Sequence, residues 1–149
     1  MHYSHDDWHE QFLSEFDPKQ FVDTLVLAKG CTATIPANNH AGLSFWPTRV
    51  GKMHAGLKGR DVLGEMIHLC HNQGLNVVVY YCTVYVDWYW ENYPSARVVD
   101  AQGESNKLLM NSAGHPRRLS LVCMNNPAYR DFVVAELEDV CRRYDFEGV

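Results

Sequence analysis

The sequence predicts an α/β fold in which helices alternate with parallel strands. Three observations carry that prediction. Segments of helical period alternate with short β-branched runs, from a helix opening at Asp17 to a strand opening at Tyr144. Each of the first two helices passes into the next strand through a tight joint containing Gly30 or Gly74, whereas the segments after the strands are long. No GxGxxG or GxxxxGK-S/T follows a strand, which removes the signature of the nucleotide-binding versions of such folds. Long loops at the strand C-termini and tight turns at the opposite end belong to (β/α)8 barrels, and equally to doubly wound open sheets.

In chain order, Asp17 caps the first helix, Pro18 suits its first position, and Phe21, Leu25 and Ala28 repeat at helical spacing up to Gly30, which is expected to end it. Residues 31–35 (Cys-Thr-Ala-Thr-Ile) read as a buried strand stopped by Pro36. Residues 37–59 are polar, aromatic and turn-rich, as in a long loop. A second helix is expected over 61–73, with Val62, Met66 and Leu69 in one stripe, Leu63 and Ile67 beside it, and Gly74 as its cap. Residues 75–83 form the clearest strand, apolar on both faces as in a covered parallel sheet. A long loop with a hairpin or irregular excursion then runs past Pro94, Gly103 and Gly114. The third helix starts at Asn126-Pro127 and turns Phe132, Val133, Leu137, Val140 and Cys141 inward, before a last strand at 144–149.

Composition narrows the function. The 149 residues carry 13 Lys and Arg against 18 Asp and Glu, a net charge of −5, so there is no electrostatic footprint for nucleic acid. No apolar run approaches the roughly 20 residues of a membrane span, and the first residues lack a signal peptide's basic and apolar regions. Five cysteines without a CxxC point to reduced thiols and a cytoplasmic setting. A dense aromatic run from Tyr80 to Tyr93 cannot point wholly inward. No cofactor is expected. His68 and His71, one turn apart on the second helix and next to Cys70, lack a carboxylate partner and read as solvated surface, so no metal site is expected. Cys82 reads as a buried thiol because no base stands beside it.

Within this framework the run Asn38-Asn39-His40-Ala41-Gly42-Leu43-Ser44-Phe45-Trp46-Pro47-Thr48 resembles the His-His-Asp-Gly-Phe signature of alpha-L-fucosidases. The joint and strand at Gly74-Leu75-Asn76-Val77-Val78-Val79-Tyr80-Tyr81 resemble that family's next unit. Pro47 to His54, Cys123 to Tyr129 and Tyr144 to Val149 are similar to a fucosidase-like group of glycosyl hydrolases, whose barrel often precedes a beta-galactosidase-type trimerisation domain. The resemblance implies the N-terminal part, strands one to four, of a TIM (β/α)8 barrel. It makes residues 1–149 a single incomplete barrel domain, truncated at the start of strand four. An eight-unit barrel needs roughly 250 residues. In those families the strand like 144–149 continues to the nucleophilic Asp, so the resemblance implies catalytic carboxylates after Val149 and a fragment that is inactive alone and self-associates as a homo-oligomer through open sheet edges.

The candidate partner is a carbohydrate. Asn38, Asn39 and His40 follow a strand on a barrel's active face, and their amides and imidazole suit hydroxyls. Asn39 stands where the fucosidase pattern has its first His, and Ala41 where it has Asp, so the resemblance leaves the fucose preference open. The resemblance gives His5, at the end of strand one, a sugar contact. Trp46, Trp88 and Trp90 offer stacking faces, or else pack beneath the loops. Tyr81 and Asp87 lie at and after a strand end, with Tyr80 facing the other way. Arg49, Lys52 and His54 share the loop containing the Gly51-Lys52-Met53-His54 tetrad. The alternatives are a non-catalytic carbohydrate-binding or assembly module, and a metal-dependent hydrolase or isomerase on the same barrel.

Overall fold

The structure, a computed structural model, describes residues 10–11, 13–105, 108–110, 116–118 and 120–149. Helix α1 (Pro18–Leu27) begins where the sequence places it, with Asp17 Oδ1 accepting the Lys19 and Gln20 amides at 2.9 and 3.3 Å. Its end differs from expectation. The left-handed residue is Lys29, at φ 57°, while Gly30 donates to Leu25 O and Lys29 to Val26 O. That is the six-to-one and five-to-two pattern of a Schellman turn with a lysine at its strained position. One place later, a Cβ on Gly30 would make a tight contact, 3.3 Å from Leu25 O. Helix α2 (Val62–Asn72) closes with the same two bonds, Leu75 N to Cys70 O and Gly74 N to His71 O, but with Gly74 itself at φ 72°.

The two joints deliver strands β1 (Thr32–Pro36) and β4 (Asn76–Tyr80), which pair in parallel from Thr32↔Asn76 to Pro36↔Tyr80. On the other edge of β4 the last residues enter in parallel: Gly148 bridges Val78, Glu147 N donates to Val77 O and Val79 N to Gly148 O. The expected α/β alternation and parallel pairing are present. Between β1 and α2 the chain forms a minimal parallel pair, β2 (Leu43–Ser44) with β3 (Lys52–Met53), and a 3₁₀ turn at Ala55–Leu57. After β4 come the short helix α3 (Asp87–Asn92), a 3₁₀ turn at Pro94–Ala96, the antiparallel hairpin β5 (Leu108–Met110) with β6 (Pro116–Arg118), and helix α4 (Pro127–Arg143). Asn126 caps α4 by accepting the Tyr129 amide at 3.1 Å.

Burial follows strand parity. Ala33, Ile35, Val77 and Val79 are buried under Val22 of α1, Leu63, Met66, Ile67 and Cys70 of α2, and Val140 of α4. Their alternates are not: Cys31, Thr32 and Thr34 are exposed, Val78 is half-buried and Tyr80 is 41% exposed. Neither strand is covered on both faces among the described residues, contrary to the expectation from their apolar sequence. A second core joins α3 to α4 through Val86, Tyr89, Trp90, Val122, Tyr129 and Val133. On α4 the inward stripe is Tyr129, Val133, Glu136 and Val140; Cys141, expected inside, is exposed, and the carboxylate Glu136 is buried instead.

Ile35 is fully buried between sheet and helices, whereas Thr32 on the same strand is exposed. Ile35→Ala should therefore cost about 2–5 kcal/mol in chemical denaturation, and Thr32→Ala within about 0.5 kcal/mol.

Candidate functional site

The C-terminal ends of β1 and β4 are where a parallel sheet presents its loops. The ladder does not stop at Pro36. Ala37 N donates to Tyr80 O at 2.8 Å, and the side chain of Asn38 then takes over: Oδ1 accepts Cys82 N at 2.7 Å and Nδ2 donates to Cys82 O at 3.1 Å. A carboxamide carries a donor and an acceptor like a peptide group, so Asn38 adds one more rung from a side chain. Freed of the ladder, the backbone turns sharply. Asn39 Oδ1 accepts Leu43 N at 2.9 Å, and Asn39 O accepts Gly42 N at 2.9 Å.

Gly42 sits at φ 75°, and a Cβ there would collide with Val86 Cγ1 and come within 3.0 Å of the Trp88 ring. The close approach lets Trp88 Nε1 donate to Gly42 O at 2.6 Å and Trp88 N to Ala41 O at 3.3 Å. Thus the turn at 38–42 and the segment 85–88 form one lip. His40 is half-buried on it, its ring 5.3 Å from that of Tyr85. Asn39 is 2% exposed, and its Nδ2 is a buried donor with no partner among the described residues.

Other sequence candidates lie behind the sheet. Trp46 is fully buried and donates from Nε1 to Asp139 of α4 at 3.0 Å, so its indole presents no face to a ligand. Strand parity turns Tyr81 toward α4, where its hydroxyl donates to Glu136 Oε2 at 3.1 Å, and leaves Tyr80 on the open face. Trp88 packs edge-on against Phe132 of α4, with ring centroids 5.5 Å apart, and Trp90 lies under the Arg97 guanidinium at 3.7 Å. These aromatics pack beneath the loops. Asp87 is 1% exposed and accepts Ser120 N at 3.0 Å, which makes it a loop anchor rather than a surface carboxylate. His54 is buried and its Nδ1 accepts Gly56 N, capping the 3₁₀ turn. Arg49 and Lys52 are exposed, and the Cys82 thiol is buried 3.7 Å from Tyr85 O. His5, and with it strand one, lies outside the described residues.

The residue that sequence reading missed is Glu136, 1% exposed on α4. Its carboxylate accepts from Thr48 Oγ1 at 2.6 Å, Tyr81 OH at 3.1 Å and Ser44 Oγ at 3.3 Å. Burial pushes its pKa above the ordinary Glu value, against the pull of the Thr48, Tyr81 and Ser44 hydroxyls and the Gly51 amide. Burial, and then the neighbouring Glu136 charge, push the Tyr81 phenol far upward, so it stays a donor. The available signal was an acid at an apolar-stripe position, three residues after Val133 and four before Val140. Among the described residues, no group of three or more His, Cys, Asp or Glu is placed to hold a metal ion, and no helix is long and apolar enough to cross a membrane.

Residues 17–149 match the family described as hypothetical glycosyl hydrolase 6, and the chain belongs to that family. No curated protein matches the sequence. Among solved structures, alpha-L-fucosidase isoenzyme 2 from Paenibacillus thiaminolyticus superposes with a TM-score of 0.81 at 24% identity, over 99% of this chain and 22% of its own. An alpha-L-fucosidase from Bacteroides thetaiotaomicron gives a TM-score of 0.59 at 19% identity, over 93% of this chain and 26% of its own. The Thermotoga maritima alpha-fucosidase, in complex with a mechanism-based inhibitor, gives 0.59 at 20% identity, over 91% and 29%. At these identities the likeness concerns the fold, and the chain spans between a fifth and a third of each structure's length.

The lip depends on Gly42 in two ways, through its positive φ and through the space its missing Cβ leaves. Gly42→Ala should lower stability by about 2–4 kcal/mol, whereas Gly74→Ala, at a similar φ but with open space around it, should cost only about 1–2 kcal/mol. Thermal melting of the two variants side by side checks this difference.

Proposed function

We propose that this member of the glycosyl hydrolase family is the sugar-gripping part of a glycoside hydrolase. In this reading β1, β4 and residues 147–149 are neighbouring strands of a (β/α)8 barrel, and the sugar lies across their C-terminal ends. The observation that supports it most is the lip itself. Half-buried His40 is the group the lip presents, and its imidazole both donates and accepts, as a sugar hydroxyl requires. The Asn39 amide lies buried behind it, bonded to none of the described residues, and a hydroxyl would reach it only if the 38–42 turn opened.

The substrate-facing set is then His40 on the lip and Tyr80 on the open face of β4, with Asn39 buried behind His40. Trp46, Tyr81 and Trp88 support the lip from the helix side. The fucosidase likeness of the fold makes a fucose-like sugar the first candidate, and the Asn39 and Ala41 departures make a different hexose the second. Hydrolysis through an oxocarbenium-like transition state needs two carboxyl groups flanking the bond, roughly 5–5.5 Å apart for retention. Asp61, Asp87, Glu136 and Asp139 are all committed to backbone, hydroxyl or indole donors within the fold. On the family resemblance, we assign the catalytic pair to sequence following Val149.

His40→Ala in the full-length enzyme should lower kcat/KM on a responsive aryl glycoside by roughly 5- to 150-fold, equivalent to about 1–3 kcal/mol, with an unchanged melting temperature. A destabilised variant with unchanged kinetics would take His40 out of the site. No turnover on any member of an aryl glycoside panel by a folded full-length protein would defeat the hydrolase reading.

A further inference from the structure

The 43–51 segment returns from the lip to the body of the protein, and its attachment is unusual. Ser44 and Thr48 both donate to one carboxyl group, that of Glu136, which also takes the Tyr81 hydroxyl from just beyond β4. The group is 1% exposed. A Cβ on Gly51 would overlap Glu136 Oε1, so the backbone passes directly against it. Three parts of the molecule, the 43–51 segment, the end of β4 and the middle of α4, therefore meet at one side chain.

None of these partners is charged. Ser44, Thr48 and the Gly51 amide come from the loop segment and Tyr81 from the strand end, while Tyr129 of α4, its phenol pushed up chiefly by burial and slightly by the Glu136 charge, spends its hydroxyl on Thr83 O at 2.7 Å. The nearby Asp139 is occupied by Trp46 Nε1, Arg49 N and Arg143. Arg49 and Lys52 of the loop are exposed. A buried carboxylate held by neutral donors gains hydrogen bonds but loses solvation that no cation restores.

We propose that Glu136 is a pH-dependent anchor that fastens the 43–51 segment and the end of β4 to α4, most firmly when its carboxyl carries a proton. Protonation from solvent removes the buried charge. The new O–H donates to the Ser44 or Tyr81 oxygen, whose own hydroxyl hydrogen rotates away, while the other carboxyl oxygen keeps the Thr48 bond.

The sign follows from the geometry: the carboxyl is 1% exposed and its partners are all uncharged, so burial outweighs their hydrogen bonds and holds its pKa above the ordinary Glu value. The folded chain binds this proton more tightly than the unfolded chain. The contribution to stability is complete below the ordinary Glu value of about 4.3 and is lost as pH rises through the folded value. Removing the Thr48 donor disfavours the carboxylate and moves that loss to higher pH.

The experiment is the melting temperature of the full chain between pH 4.5 and 8, for the wild type, Glu136→Gln and Thr48→Val. Glutamine preserves shape and cannot ionise. The wild-type melting temperature should fall relative to Glu136→Gln as pH rises, each tenfold loss in the folding equilibrium lowering it by roughly 3–6 °C. Thr48→Val should lose more against wild type at pH 8 than at pH 5. A wild-type minus Glu136→Gln difference that stays flat or grows with pH would overturn the proposal. Should Glu136→Gln not fold, equal losses for Thr48→Val at both pH values overturn it just as well.

Discussion

The carboxamide of Asn38 is the pivot of the lip. A parallel pair can continue only while both backbones stay extended, yet the chain after β1 must turn within a few residues to build the lip. By bonding both the N–H and the C=O of Cys82, Asn38 completes the ladder from a side chain and frees its own backbone to turn. It also fixes Cys82, and so sets where the following segment begins its run toward Trp88. The Trp88 indole can then reach Gly42 O, and the turn and the aromatic segment brace each other. Truncating Asn38 would strand two buried peptide groups, which explains a polar residue 2% exposed at a strand end.

The sheet separates two kinds of chemistry. On the helix side, polar groups are consumed in fastening layers: Trp46 to Asp139, Tyr81 to Glu136, and the Tyr144 hydroxyl to Asp61 at the cap of α2. On the other side, Tyr80 remains 41% exposed and Val78 half-buried, beside a lip that presents a half-buried imidazole. A surface of that kind suits a ligand rich in hydroxyls and weakly apolar faces, which is the chemistry the proposed reading assigns to it.

Much of this architecture is legible in the residues. Asp17, Asn126 and Gly74 mark element ends through capping chemistry that depends on neighbours a few residues away, and each stands where it was expected. Lys29 at φ 57° escaped because its position is set by Gly30 passing Leu25 O, a contact that sequence alone does not display. The turn at 38–42 was legible in place, just beyond the end of β1, but the side chains of the candidates were not legible in orientation. Trp46 and Tyr81 are turned inward by partners 93 and 55 residues away. Glu136 shows in the sequence only as an acid on the apolar stripe of α4; its three hydroxyl donors converge through tertiary packing, and without them a carboxylate belongs on the surface.

On the proposed reading, sugar meets the lip at 38–42 and the open face of β4, while the aromatics behind the sheet serve structure. The decisive measurement titrates L-fucose and D-galactose, in parallel, into the isotope-labelled protein and follows individual side-chain resonances by NMR. At least one sugar should shift the Asn39 amide, the His40 imidazole and the Tyr80 ring, and leave the Trp46 indole and the Tyr81 ring unmoved. Saturable shifts confined to Trp46 or Tyr81, with the Asn39 and His40 signals unchanged, would contradict it.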